Sequence, residues 1–284
     1  MSHKHTVCQI GVFAAYVSTR GHAFIDRQLY LPKAWTDSPE RRAVAHVPED
    51  VKFATKPRLA VTMIERAIDA GVPFAWVAAD SVYGVGGVEM ALRRAGKGYV
   101  LGVASTTQFH SWDKPEPVSG TAEAIALTLP ASRWVQLSAG GLRLYDYLEL
   151  ADLDARSFFD CRSASTMWTL LIRRGLSDGK MAFFSTWCPK GTPMAVLVEV
   201  EGRRWAIEDA FETAKTELGL AHNETRSWHG WHRHVSLVML AFALLMVIRH
   251  KAENLTSPQK RPPTDQHKLW SDGPSRRSVV LPGV

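Results

Sequence analysis

Cysteine is scarce in this chain. Cys8, Cys161 and Cys188 stand far apart and form no C-x-x-C pair. That excludes a structural zinc site of the usual spacing, and the sparse, odd count fits a reducing cytosol better than a disulfide framework. The first five residues lack the apolar stretch of a signal peptide. Long apolar runs are lacking too. The longest, Val235 to Ile248, has fourteen residues and one serine. It falls short of the roughly 20 residues that cross a bilayer. It therefore reads as a buried core helix, with no membrane association and a cytoplasmic location expected. A dinucleotide loop is also missing. In Gly84-Val85-Gly86-Gly87-Val88-Glu89 the third glycine of G-x-G-x-x-G is replaced by Glu89, a carboxylate where a pyrophosphate would sit. There is no internal repeat.

What is present is a globular composition. The 284 residues are 46% hydrophobic, enough for one large domain or two small ones. The 34 basic and 28 acidic side chains leave a net charge of +6. From Arg249 onward there are seven Lys/Arg against three Asp/Glu, so +4 of that excess lies in the tail. A modest basic excess favours a polyanionic partner such as nucleic acid.

The local patterns predict strands at 6–17 and 23–31, joined as a hairpin around Gly21. A polar excursion with a short helix near 38–45 should follow, then a helix over 56–70 stopped by Gly71. Residues 72–79 (VPFAWVAA) form a continuous apolar run, which is how a strand buried on both faces reads. Asp80 ends that run, at the carboxyl end of a central strand. A helix over 88–95 and a strand over 99–104 come next. From 105 to 200 the texture changes to short β-like runs at 134–137, 142–150, 167–173, 181–187 and 194–200. This reads as a β-rich antiparallel insertion. A helix over 203–218, a linker containing Trp228, His229, Trp231, His232 and His234, and the apolar helix to about residue 250 complete the core. Residues 251–284 read as a disordered basic tail.

The helix at 203–218 carries the most specific pattern. Ile207, Ala210, Phe211, Ala214 and Leu218 make one apolar face. At about 100° per residue, Arg204, Glu208, Glu212 and Lys215 fall in a stripe beside it. Such a stripe is also what an ordinary amphipathic helix with i,i+4 salt bridges presents. Asp80 and Glu208 are the carboxylates that could converge from a strand end and a helix edge to hold a divalent cation through oxygen. For Asp80 a helix N-cap role fits the position as well. The 228–234 cluster has the donors for a loop that contacts phosphates.

The segments RRWAIEDAFETAKTELGL and RSWHGWHRHVSLVMLAFALL, with LYLPKAW and AADSVYG upstream, resemble DDE transposases of bacterial insertion sequences. The signature of that superfamily is tyrosine, two residues, arginine, three residues, glutamate, six residues, lysine. Arg204, Glu208 and Lys215 match it, and Glu201 stands at the tyrosine position. The resemblance implies an α/β fold: an incomplete ribonuclease-H-like core in two parts (1–104 and 201–250), the β-rich insertion at 105–200 between them, and a C-terminal core helix. It implies metal-dependent DNA cleavage and strand transfer, with Asp80 and Glu208 holding Mg²⁺ or Mn²⁺ and Arg204 and Lys215 on the phosphates of the transposon end. Arg203, Arg226 and His232 complete the candidate DNA-contacting set. The expected partners are transposon-end and target DNA, and a homodimer that would bring two ends together. The family's first catalytic aspartate lies on a strand before the segment matched here, and none of residues 1–5 is aspartate. The expectation is therefore an N-terminally truncated core with two carboxylates in place of three, lacking a central strand and leaving core surface uncovered. The alternative to an active transposase is an inactive remnant that binds DNA or the intact enzyme.

Overall fold

In a computed structural model, residues 9–111, 118–139, 144–150, 166–256 and 277–281 are described. The chain opens with a hairpin of two β-rich runs, β1 (Ile10–Ser18) and β2 (Gly21–Tyr30), paired antiparallel with a bulge between Ala14 and Ala15. Two short helices follow, α1 (Lys33–Thr36) and α2 (Pro39–Val44), the second capped by the Ser38 side chain. Then comes α3 (Lys56–Asp69), capped by the Thr55 side chain, with Ala60, Val61, Met63, Ile64 and Ala67 buried at helical spacing. The apolar run before Asp80 is β3 (Trp76–Ala79), all four residues buried. It is followed by α4 (Gly86–Arg94) and β4 (Gly98–Val103), parallel to β3. Gly84 in the intervening turn has a packing role. A Cβ there would run into the carbonyl oxygen of Gly102 on β4.

The block after β4 contains β5 (Gln108–Ser111), β6 (Val118–Thr121), α5 (Ala122–Thr128), β7 (Val135–Ser138), β8 (Leu144–Leu150), β9 (Thr166–Gly175) and β10 (Met181–Pro189). Among the described residues, β5 and β6 form a separate two-stranded sheet. The strands from β7 to β10 extend the main sheet, because β10 pairs antiparallel with β4. Met194–Gly202, expected in part as a strand at 194–200, is a helix, α6. Its valines suit a strand locally, but Leu197, Val198, Val200 and Glu201 are buried on one helical face, and that burial overrides propensity. The helix expected over 203–218 spans Trp205–Thr216 (α7), with Ile207, Ala210 and Ala214 buried and Gly219 in the left-handed region (φ 73°) just beyond it. The expected linker at 228–234 is helical. It forms the first turns of α8 (Trp228–Thr256), started by Ser227, whose Oγ accepts from the Gly230 N–H at 3.1 Å.

The largest departure is at the C-terminus. Ser278–Leu281, expected within a disordered tail, forms β11, fully buried. Residues 257–276 and 282–284 of that expected tail lie outside the described residues. The main sheet runs β2-β1-β11-β3-β4-β10-β9-β8-β7. β11 is antiparallel to β1 (Ala15 opposite Val280) and parallel to β3 (Val280 opposite Ala78). The gap expected from a missing central strand is therefore filled from the other end of the chain. Ser-Val-Val-Leu suits that slot because a central strand is apolar on both faces. Val280 packs with Trp76, Ala78, Ile207 and Val235 on one side of the sheet. Val279 and Leu281 pack with Val77, Met63 and Leu92 on the other. Thus α6, α7 and α8 cover one face, and α3 and α4 the opposite one. A smaller core around Phe109, Ile125, Leu170 and Phe183 holds α5 against the strands beyond β4.

Candidate active site

Strands β11, β3 and β4 run parallel, so their carboxyl ends share one edge of the sheet. Asp80 stands at that edge, directly after β3. Its Oδ1 accepts from the Val82 N–H at 3.0 Å, which closes the turn after the strand. The N-cap of α4 is Val85, so Asp80 is not that helix's cap. Burial pushes the Asp80 carboxyl above the usual carboxylate range. The Val82 N–H and the cations Arg204 and Lys56 act against this, and the negative charge of Glu208 adds to it. Asp80, Glu208, Arg204 and Lys56 therefore share one electrostatic field. Lys56, in the first turn of α3, has no signal in the sequence that would have joined it to this group.

α7 brings Glu208 and Arg204 to the site. Its buried face is fixed by Ile207, Ala210 and Ala214, and Phe211 lies 5.0 Å from Phe13 and 5.1 Å from Phe24 between ring centroids. That leaves Glu208 at the rim, with its side chain 42% exposed. Arg204 Nη1 donates to Glu208 Oε1 at 2.7 Å, and the guanidinium lies over the Trp205 ring at 4.8 Å. Lys215 is exposed on the same helix, its ammonium 5.6 Å from the Phe211 ring centre. The remaining candidates lie in other surroundings. The Arg203 guanidinium is used internally, donating to Ser278 Oγ on β11 (3.2 Å) and to Glu199 (2.7 Å). His232 lies on α8 against Trp228 and Trp231, its Nδ1 2.9 Å from the Trp228 carbonyl oxygen. Burial lowers the His232 pKa, and the nearby charges acting on it are Arg27 and His229. Arg226 is exposed before α8.

Glu201, at the tyrosine position of the signature, is buried at the end of α6 (1% exposed). Its carboxylate pairs with Arg173 on β9 at 2.7 Å and accepts from the Tyr147 hydroxyl on β8 at 3.1 Å. This pins the strands beyond β4 to the helix that leads into α7. The sequence marked Glu201 only as a departure, since its partners lie 28 and 54 residues away.

A divalent metal needs more than this edge offers. Among the described residues no group of three or more His, Cys, Asp or Glu comes together to hold an ion. One oxygen of Glu208 is already bound by Arg204, and Asp80 Oδ1 accepts from the Val82 N–H. The strand beside β3 presents Val280 on the α7 face where an acid could have stood. Asp26 is committed elsewhere, its Oδ2 accepting from Arg66 Nε (2.9 Å) and Nη2 (2.8 Å). These residues do not fit a two-ion centre, whose attacking and leaving oxygens need several shared carboxylates.

The fold and site define a mixed α/β protein with an acidic and basic cluster at the carboxyl edge of parallel strands. One known family resembles part of it. Residues 1–124 match the DDE superfamily endonuclease family, the transposase lineage the sequence resembles. The match contains β1 to β4 and Asp80, and stops before α7. No curated protein matches the chain.

Proposed function

We propose that this chain is a DNA-binding member of the DDE transposase lineage that does not cleave DNA by itself. The carrying observation is the central strand. Ser278–Leu281 occupies the position between β1 and β3 and contains no carboxylate. The order β2-β1-β11-β3-β4, with antiparallel pairings up to β11 and parallel ones after it, supports a ribonuclease-H-like reading of this half of the sheet. In that reading Asp80 and Glu208 are the two retained carboxylates. Arg204 and Lys215 face DNA phosphates, and a cytoplasmic location goes with it. The spacing of Arg204, Glu208 and Lys215 supports the second reading, a cleaving transposase.

The two readings separate in one experiment. The purified chain is incubated with supercoiled plasmid and with a labelled duplex, in Mg²⁺ or Mn²⁺. The proposal expects salt-dependent binding without nicking. Replacing Arg204 and Lys215 by alanine should weaken binding across sequences and lower the salt slope by about 2. Metal-dependent nicking that disappears in Asp80→Ala would establish the cleaving reading instead.

A further inference from the structure

The polar segment between β2 and α3 carries a group of side chains outside the Asp80–Glu208 cluster. Tyr30 ends β2, opposite Ile10 at the start of β1. Because β1 is antiparallel to β11 and β11 is parallel to β3, the end of β2 lies at the same edge of the sheet as Asp80. There the Tyr30 and Phe53 rings meet edge-on, with centroids 6.5 Å apart and planes at 65°. The Lys56 ammonium lies 5.5 Å from the Tyr30 ring centre, and the Lys33 ammonium 5.9 Å from that of Phe53. The charge of Lys56 also acts on Asp80, which joins this group to the candidate site. Among the described residues neither ammonium is paired with a carboxylate. Phe53 is a large apolar side chain left 38% exposed. The segment that carries it is held in place. Arg42 Nη2 donates to the carbonyl oxygens of Pro48 and Glu49 (2.7 and 3.1 Å), and the Trp228 N–H donates to that of Ala45 (2.8 Å).

We propose that Phe53, Tyr30, Lys33 and Lys56 form a binding site for an unpaired nucleotide, with its base on the Phe53 ring and its phosphate on the lysines. The proposal rests on the DNA-binding reading above and narrows it to the form of strand this edge accepts. In a duplex each base face is covered by its neighbour, so a side-chain ring cannot reach it and the lysines alone would bind, through phosphate. An unpaired base offers a free π-face whatever its identity, and stacking on an aromatic ring beside cations is how single strands are held without sequence preference. Phe53 meets Tyr30 by an edge rather than a face, so it is not already stacked on another ring. Residues 31–58 contain six Lys/Arg against four Asp/Glu, so the surroundings favour an anionic ligand only weakly. Discrimination therefore falls to the ring. The ring is also set in advance, since the hydrogen bonds of Arg42 and Trp228 fix the segment before any ligand arrives.

Fluorescence anisotropy on the full chain tests this with three labelled ligands: an oligothymidylate of about eight nucleotides, the same strand without bases, and a duplex of equal length. Phe53→Leu should weaken the oligothymidylate about tenfold and leave the baseless strand and the duplex unchanged. Phe53→Tyr keeps a ring and should bind like wild type. Lys33→Ala should weaken both single strands and lower their salt slope by about 0.7. All three variants should melt with wild type. Thymidine monophosphate as competitor separates two sources of the same chemistry: displacement assigns the site to free nucleotides, and its absence assigns the site to strands. A Phe53→Leu chain that binds the oligothymidylate as tightly as wild type overturns the proposal, and if the duplex is still bound the DNA-binding reading stands. Equal loss of all three ligands in Phe53→Leu also overturns it. A wild-type chain that binds none of the three overturns both readings.

Discussion

Placing a stop codon after Arg277 removes the middle of the sheet while deleting only seven residues. Val279, Val280 and Leu281 are each fully buried. At roughly 1.5–3 kcal/mol for each buried aliphatic side chain, their loss costs on the order of 5–8 kcal/mol, an upper estimate because unfolded chains bury some surface already. The ladder hydrogen bonds to both β1 and β3 go as well, leaving backbone groups unpaired inside the core. A domain's whole stability is about 5–15 kcal/mol, so the truncated chain should be largely unfolded. Val280→Ala is the graded version. It removes two methyl groups and leaves a small cavity, about 2 kcal/mol. For a chain of this size that is a melting temperature lower by roughly 5 °C. Urea unfolding followed by tryptophan fluorescence reads both, with amide exchange in β1 and β3 as the local report. If the truncated chain keeps the full-length urea midpoint and slope, β11 contributes nothing and the reasoning fails.

Glu201→Ala should cost about 3 kcal/mol or more, because Arg173 would keep its charge in a mostly buried place without its partner. Glu201→Leu combined with Arg173→Met should recover most of the loss in the urea midpoint, which a purely packing role of either residue would not produce. Asp80 gives a pH signature. Burial raises its folded pKa, so the folded state binds a proton more readily than the unfolded one. That contribution is fully present below the ordinary carboxylate pKa and is lost as pH rises through the raised value. At pH 7 the ionised carboxylate is therefore a net cost. Asp80→Asn, which still accepts from the Val82 N–H, should melt higher than wild type at pH 7, with the difference shrinking towards pH 4. A lower melting temperature at pH 7 would contradict this.

Features set by near neighbours in the chain were legible. The hairpin of β1 and β2, α3, the buried strand ending at Asp80 and the apolar face of α7 each declare themselves within about ten residues, through periodicity and flanking glycines. Asp80 and Glu208 follow from them, since a strand end and a helix edge can be read locally. Features that depend on tertiary closure were not legible. Valines in 194–200 suggest a strand until the sheet supplies the surface that buries one helical face. Ser227 is a readable cap for α8, but the tryptophans and histidines after it look like a binding loop. That the β-rich block joins the main sheet could not be read, because nothing near β10 says that it pairs with β4, 80–88 residues upstream in register. The basic, proline-bearing tail hides SVVL, which has meaning only beside an open slot between β1 and β3. Arg203 illustrates the same limit. It reads as a DNA contact and in the fold ties α7's approach to Ser278.

The position of β11 also sets a clock on biosynthesis. β1 is synthesised some 260 residues before β11. At about 5–20 residues per second that interval is on the order of 13–50 seconds. Throughout it the β1–β2 hairpin and the β3–β4 pair each carry an unpaired edge where the last strand will sit, and such edges recruit other strands. Domains that complete their sheet from neighbouring strands can fold soon after those strands are made, but this one waits for β11. Its yield in a cell should depend on whatever shields nascent chains, and a frameshift just ahead of the β11 codons would act as a lesion in the centre of the sheet.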